Sequence, residues 1–118
     1  RRIAGESLVL YRRPDAAVVA MEDRCCHRHA PLSLGRKEGD SIRCMYHGMK
    51  FAPDGRCLET PAEPMGSTLC SRVRQRSYPV QVRAGVVFAW LGPEGSVPPP
   101  LPGFHCFPAP DSHVFAFK

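Results

Sequence analysis

A chain of 118 residues has room for one domain with a buried core, and none for a second catalytic domain beside it. Proline and glycine together supply 23 residues and the apolar runs are short, which favours strands and turns over helices. The net charge is +5, from 13 Arg and 3 Lys scattered without a basic stripe or stacking aromatics, and no apolar run approaches ~18 residues; nucleic-acid binding and a transmembrane helix are both excluded.

A basic surface of this kind suits an acidic protein partner. No charged-then-apolar leader is visible, so a cytoplasmic location is expected. The chain starts Arg1-Arg2 without Met and stops at F-A-F-K, which reads as the middle of a strand. A piece of a longer protein is therefore expected.

S-L-V-L-Y-R (7–12) reads as a strand, Pro14-Asp15 as a turn and A-A-V-V-A-M (16–21) as the returning arm of a hairpin. C-C-H-R-H (25–29) follows as a loop, and A-P-L-S-L-G (30–35) continues it. Glu38-Gly39-Asp40 is a turn, and S-I-R-C (41–44) a short strand that enters a second loop, C-M-Y-H (44–47). M-K-F-A (49–52) and R-C-L-E (56–59) flank P-D-G and predict a tight hairpin, because Asp-Gly supplies the positive φ that such a turn needs. Residues 60–71 read as irregular. Y-P-V-Q-V-R (78–83) and V-V-F-A-W-L (86–91) form another hairpin around Ala84-Gly85. Seven prolines within 93–110 cannot donate a sheet ladder and predict an extended linker. H-V-F-A-F-K (113–118) has strand character again. The expected division is a domain over 1–92, a linker over 93–112, and the start of a further domain over 113–118.

The even count of six cysteines raises a disulfide framework, but interleaved Cys and His at short spacing favours a metal site. Two ligand sets are open. Cys26-x2-His29 with Cys44-x2-His47 is symmetric and could hold a tetrahedral zinc. Cys25-x-His27 with Cys44-x2-His47 gives one Cys and one His per loop, as a Rieske [2Fe–2S] centre requires. Gly48 after His47 lets backbone approach a cluster, and Ala30-Pro31 closes a rigid turn. Both residues argue against a helix-borne zinc finger. Cys57, Cys70 and Cys106 have no partner at metal spacing, and Cys57 reads as a small core residue.

The run C-C-H-R-H-A-P-L-S-L-G-R-K-E-G-D-S-I-R-C-M-Y-H-G-M-K-F-A-P-D-G-R-C-L-E-T-P (25–61) resembles the Rieske domain of bacterial Rieske non-haem iron oxygenases. It looks most like the phthalate dioxygenase and vanillate O-demethylase branch. The likeness is specific over 21–61, weaker through 72–80 and 85–92, and fades in the proline-rich tail. It implies an all-β Rieske fold, an antiparallel sandwich carrying a small cluster-binding subdomain of two loops. It implies that Cys25 and Cys44 bind the buried iron of a [2Fe–2S] cluster, and His27 and His47 the outer iron. Cys26 stands where the family usually has proline.

High-potential relatives join their two cluster loops by a disulfide. The matching positions here are Ala30 and Tyr46, so that bond cannot form. Those relatives also donate Ser and Tyr hydroxyls to the cluster sulfurs, where this chain has Met49 and Phe51, which cannot donate. A potential at the low end, roughly −150 to 0 mV, is expected. The resemblance further implies one-electron transfer to a mononuclear Fe(II) in an absent catalytic domain, possession of a flavin- or ferredoxin-type reductase partner, and a homotrimeric whole protein whose catalytic domain can belong to a neighbouring subunit. His105, Asp111 and His113 lack the family's helical spacing and read as linker and strand-edge residues. A free-standing Rieske ferredoxin is the alternative of matching length, and a structural zinc domain the remote one.

Overall fold

The structure is a computed structural model and describes residues 1–104 and Pro108. The strand expected over 113–118, the far end of the linker, and His105, Cys106, Asp111 and His113 lie outside the described residues.

The first hairpin sets the frame. Strand β1 (Arg2–Ile3) pairs with β2 (Glu6–Arg12), which pairs with β3 (Val18–Glu22) in the register Leu8↔Glu22 to Arg12↔Val18. Asp15 caps the connecting turn by accepting the Ala17 N–H at 3.0 Å. The two-residue period of a strand sends Val9, Val19 and Met21 to one face, and Leu8 and Ala20 to the other. All five are buried, so this hairpin is covered on both sides.

The first face meets a four-stranded antiparallel sheet of β4 (Arg36–Glu38), β5 (Ser41–Arg43), β6 (Lys50–Phe51) and β7 (Cys57–Glu59), in that order. Leu32, Ile42, Met49 and Phe51 fill the core between them, joined by Cys25 and Cys44. Strand β4 is an element that the turn residues around Gly39 hide in the sequence; it forms because β5 offers it a partner at Arg36↔Arg43. Leu32–Leu34 makes one 3₁₀ turn in the stretch expected as loop. The segment 60–71, expected as irregular, carries a four-residue helix over Leu69–Arg72, α1.

The expected strand over 78–83 is two strands. β8 (Ser77–Tyr78) pairs with β3, and β9 (Val80–Arg83) pairs with β10 (Val86–Ala89) in a separate sheet. Pro79 marks the change, since it has no N–H to give a continuous ladder. Ala84 and Gly85 both have positive φ, as a two-residue hairpin turn demands. Tyr78, with Val80, Ala89 and Leu91, covers the second face of the first hairpin. Residues 93–104 contain no strand or helix, and no helix among the described residues is long and apolar enough to cross a membrane.

The turn at Pro53-Asp54-Gly55 joins β6 to β7, with Gly55 at φ +87°. A Cβ there would overlap the carbonyl oxygen of Gln75, whose N–H donates to the Gly55 carbonyl at 2.8 Å. Gly55→Ala is therefore expected to destabilise the chain by about 1–3 kcal/mol, from positive-φ strain and backbone overlap together. Urea unfolding followed by circular dichroism checks this; an unchanged midpoint would mean that the turn relaxes without resistance.

Candidate metal centre

Two loops are built to one backbone pattern. In the first, the Cys25 N–H donates to the Ala30 carbonyl at 3.0 Å and the His29 N–H donates back to the Cys25 carbonyl at 2.8 Å. In the second, the Cys44 N–H donates to Met49 at 2.8 Å and the Gly48 N–H to Cys44 at 3.1 Å. The fifth residue of each loop has positive φ, 56° at His29 and 72° at Gly48. The pattern thus matches Cys25 with Cys44, and His29 with a glycine. His29 is exposed and serves as a turn residue. The symmetric spacing of Cys26-x2-His29 and Cys44-x2-His47 is not a symmetry of the backbone.

Cys25 and Cys44 are buried, with relative exposures of 1% and 3%, and their thiols lie close enough to perturb one another. The His27 N–H reaches the Cys25 sulfur, and the N–H groups of Tyr46 and His47 reach the Cys44 sulfur. Such donors favour negative sulfur. Against them, the bond from the Cys26 thiol and then burial push Cys25 up, while burial pushes Cys44 up. The same bond pushes half-buried Cys26 down. A coordinated cation makes a buried thiol a thiolate outright.

The imidazoles of His27 and His47 lie side by side, half-buried, with ring centroids 4.8 Å apart and planes at 63°. The Tyr46 ring packs on His47 at 3.9 Å. Nδ1 of His27 is buried and has no hydrogen-bond partner. A buried ring nitrogen left without a partner is costly, and metal coordination satisfies it. Two thiols and two imidazoles, one of each per loop, fit the donor set of a cluster with two Cys on one iron and two His on the other. Among the described residues, no three of His, Cys, Asp or Glu converge as one four-coordinate ion would need.

Two side chains that sequence spacing does not reveal hold these loops. Gln75 is 1% exposed. Its Oε1 accepts the Cys26 N–H at 2.8 Å, and its Nε2 donates to the carbonyls of Glu22 at 2.8 Å and Arg24 at 3.0 Å. Arg43, beside Cys44, donates to the Gly48 carbonyl at 2.7 Å, to Glu38 at 2.8 Å and 2.9 Å, and to Glu59 at 2.7 Å. Lys50 joins both carboxylates. Pro61 closes over the second loop: a Cβ on Gly48 would come within 2.8 Å of its ring. A polar residue at 75 with no local partner was the one available signal, and it names no target. The acidic partners of Arg43 are visible only once β4 is known to lie beside β5.

Residues 1–79 match the family model of the Rieske [2Fe-2S] domain. The chain is 46% identical over 92 residues to the toluene-4-sulfonate monooxygenase system iron-sulfur subunit of Comamonas testosteroni, covering 78% of this chain and 26% of that protein. It is 37% identical over 113 residues to the phthalate 4,5-dioxygenase oxygenase subunit of Pseudomonas putida, covering 96% and 25%. The crystal structure of apo dicamba monooxygenase superposes with a TM-score of 0.80 at 37% identity, covering 93% of this chain and 34% of that one. The chain thus spans about a quarter of the length of these curated relatives.

Gln75→Ala leaves the Cys26 N–H and two carbonyls unpaired in the interior and is expected to cost roughly 2–4 kcal/mol. Metal content per purified chain should fall with it, which elemental analysis reads. Arg43 and then Arg36 hold the Glu38 carboxyl down at about 2, against a usual 4.5. Its folded value is depressed, so its stabilisation is complete above about pH 4.5 and is lost as pH falls towards 2. Glu38→Gln is expected to lower the melting midpoint at neutral pH and to flatten its decline across that window. An acid decline identical to that of the unmodified chain would show that Glu38 contributes nothing to it.

Proposed function

The chain belongs to the Rieske [2Fe–2S] domain family, and from that premise we propose that Cys25 and Cys44 hold one iron of a [2Fe–2S] cluster while His27 and His47 hold the other. The observation that carries this is the unpartnered, buried Nδ1 of His27, with the His47 ring 4.8 Å away and the paired thiols of Cys25 and Cys44 on the same two loops. When bound, the cluster supplies one-electron transfer, which in the whole protein would serve a mononuclear Fe(II) held by two His and one carboxylate in a domain outside this chain.

The residues divide that work. The cysteines lie in the core and keep solvent from the sulfur side, while the half-buried histidines offer a route for the electron at the surface. Backbone N–H groups at 27, 46 and 47 stabilise negative charge on the cysteine sulfurs. Met49 and Phe51 are 2% and 0% exposed and bring no hydroxyl, which supports a low potential.

The whole protein is read as an aromatic-compound oxygenase or O-demethylase. The names of the matched relatives and the quarter-length coverage support that reading. Residues 1–92 would be the cluster domain, 93–112 a linker and 113–118 the start of the catalytic domain. The net charge of +5 suits an acidic flavin- or ferredoxin-type reductase, and the family implies a homotrimer in which the catalytic domain of a neighbouring subunit can receive the electron. A cytoplasmic location completes the reading.

The test is anaerobic purification, metal analysis and EPR after dithionite reduction. A red-brown chain with two irons, an average g below the free-electron value, and a midpoint of roughly −150 to 0 mV is expected. A colourless chain carrying one zinc would overturn the ligand assignment and the electron-transfer role together.

A further inference from the structure

Two cysteines have no part in the proposed centre. Cys57 lies on β7, paired across the sheet with Phe51, and packs against the main core. Cys70 lies in α1, which packs against β7. Thirteen positions apart in sequence, the two cysteines lie side by side and both are free, the Cys57 thiol donating to the Glu59 carbonyl at 3.5 Å. A cavity of about 310 Å³ is lined by Cys57, Cys70, Arg56, Arg72 and Arg74. A small polar oxidant therefore has space beside the two cysteines, in a cavity with three arginines of which two share Asp54.

We propose that Cys57 and Cys70 are a reversible redox pair, oxidised by a peroxide to a disulfide that staples β7 to α1. Cys70 attacks first. Its sulfur displaces hydroxide from the O–O bond of hydrogen peroxide, the thiol proton leaves to make water, and Cys70 becomes a sulfenic acid. The Cys57 sulfur then attacks the Cys70 sulfur. The S–O bond breaks, and the hydroxyl leaves with the Cys57 proton as a second water. In sum, two thiols and one peroxide give one disulfide and two waters. Reduction by an external dithiol reverses the change by thiol–disulfide exchange.

The order follows from the surroundings. Cys57 packs against the core and its thiol donates to the Glu59 carbonyl at 3.5 Å, and burial pushes it up, so it is the protonated reserve. The bond would also close residues 58–69 into a loop. That loop contains Pro61, whose ring sits against Gly48 of the second metal loop. Oxidation at Cys57 and Cys70 would thereby restrain the segment that sits against Gly48, the residue after His47, without using any of the four proposed ligands.

Trypsin makes the test direct, because residues 57–72 contain both cysteines and no Lys or Arg before Arg72. The full chain, as purified, is treated with hydrogen peroxide, blocked with N-ethylmaleimide, digested and weighed. The expected product is peptide 57–72 lighter by two hydrogens and free of N-ethylmaleimide. A phosphine reductant before blocking should restore two adducts. Cys70→Ser should abolish the mass loss, and Cys70→Ala should do the same, which guards against a folding defect in either variant. Peptide 57–72 carrying two adducts after peroxide would overturn the proposal. So would Cys70 halted at sulfinic acid, or a bond from either cysteine to the peptide containing Cys25 and Cys26. Visible absorbance followed in parallel reports the cluster separately, so failure of the thiol pair and failure of the Rieske assignment give different readouts.

Discussion

One buried amide, that of Gln75, couples the metal loops to the rest of the chain. Its three hydrogen bonds reach Glu22, Arg24 and Cys26, on a segment about fifty residues earlier. An amide so deeply buried is tolerable only when both of its ends are satisfied, and the first loop has the donor and acceptors placed to do it. The N–H of Gln75 in turn holds the Gly55 turn. Residue 75 therefore sets the first loop and the β6–β7 hairpin against one another, and the second loop hangs from that hairpin's own sheet.

The second loop is held by charge. Arg43 and Lys50 meet Glu38 and Glu59 across four strands, and the Arg43 guanidinium also reaches the Gly48 carbonyl. Isolated surface ion pairs contribute little, but a planar guanidinium shared by two carboxylates and a carbonyl restricts geometry as well. The two supports differ in what weakens them. Salt and acid act on the Arg43 network, whereas the buried Gln75 amide is shielded from both.

Between them, the β2–β3 hairpin is the common wall. Its strand alternation puts Val9, Val19 and Met21 towards the metal subdomain, and Leu8 and Ala20 towards Tyr78 and the β9–β10 hairpin. A strand buried on both faces reads as a continuous apolar run, and V-V-A-M does. The hairpins were legible for this reason, and for the Asp-Gly and Ala-Gly turns that join their arms. Strand β4 was not, because Arg36-Lys37-Glu38 is charged throughout and becomes a strand only through pairing with β5. Nor was the division at Pro79, since a lost N–H says where a ladder breaks but not which sheet each half joins.

The sequence by itself determined the donor types, their spacing within each loop, the positive-φ glycine after His47, and the family likeness carried by residues 25–61. These are local properties, legible because each loop is closed by hydrogen bonds between residues four and five positions apart. Tertiary structure alone decided that Gln75 meets the first loop, that Glu38 and Glu59 meet Arg43, and that Cys57 lies beside Cys70. Each of those depends on partners brought together from distant positions. Spacing along a chain carries no information about which distant segment will supply a hydrogen bond, a carboxylate or a second thiol.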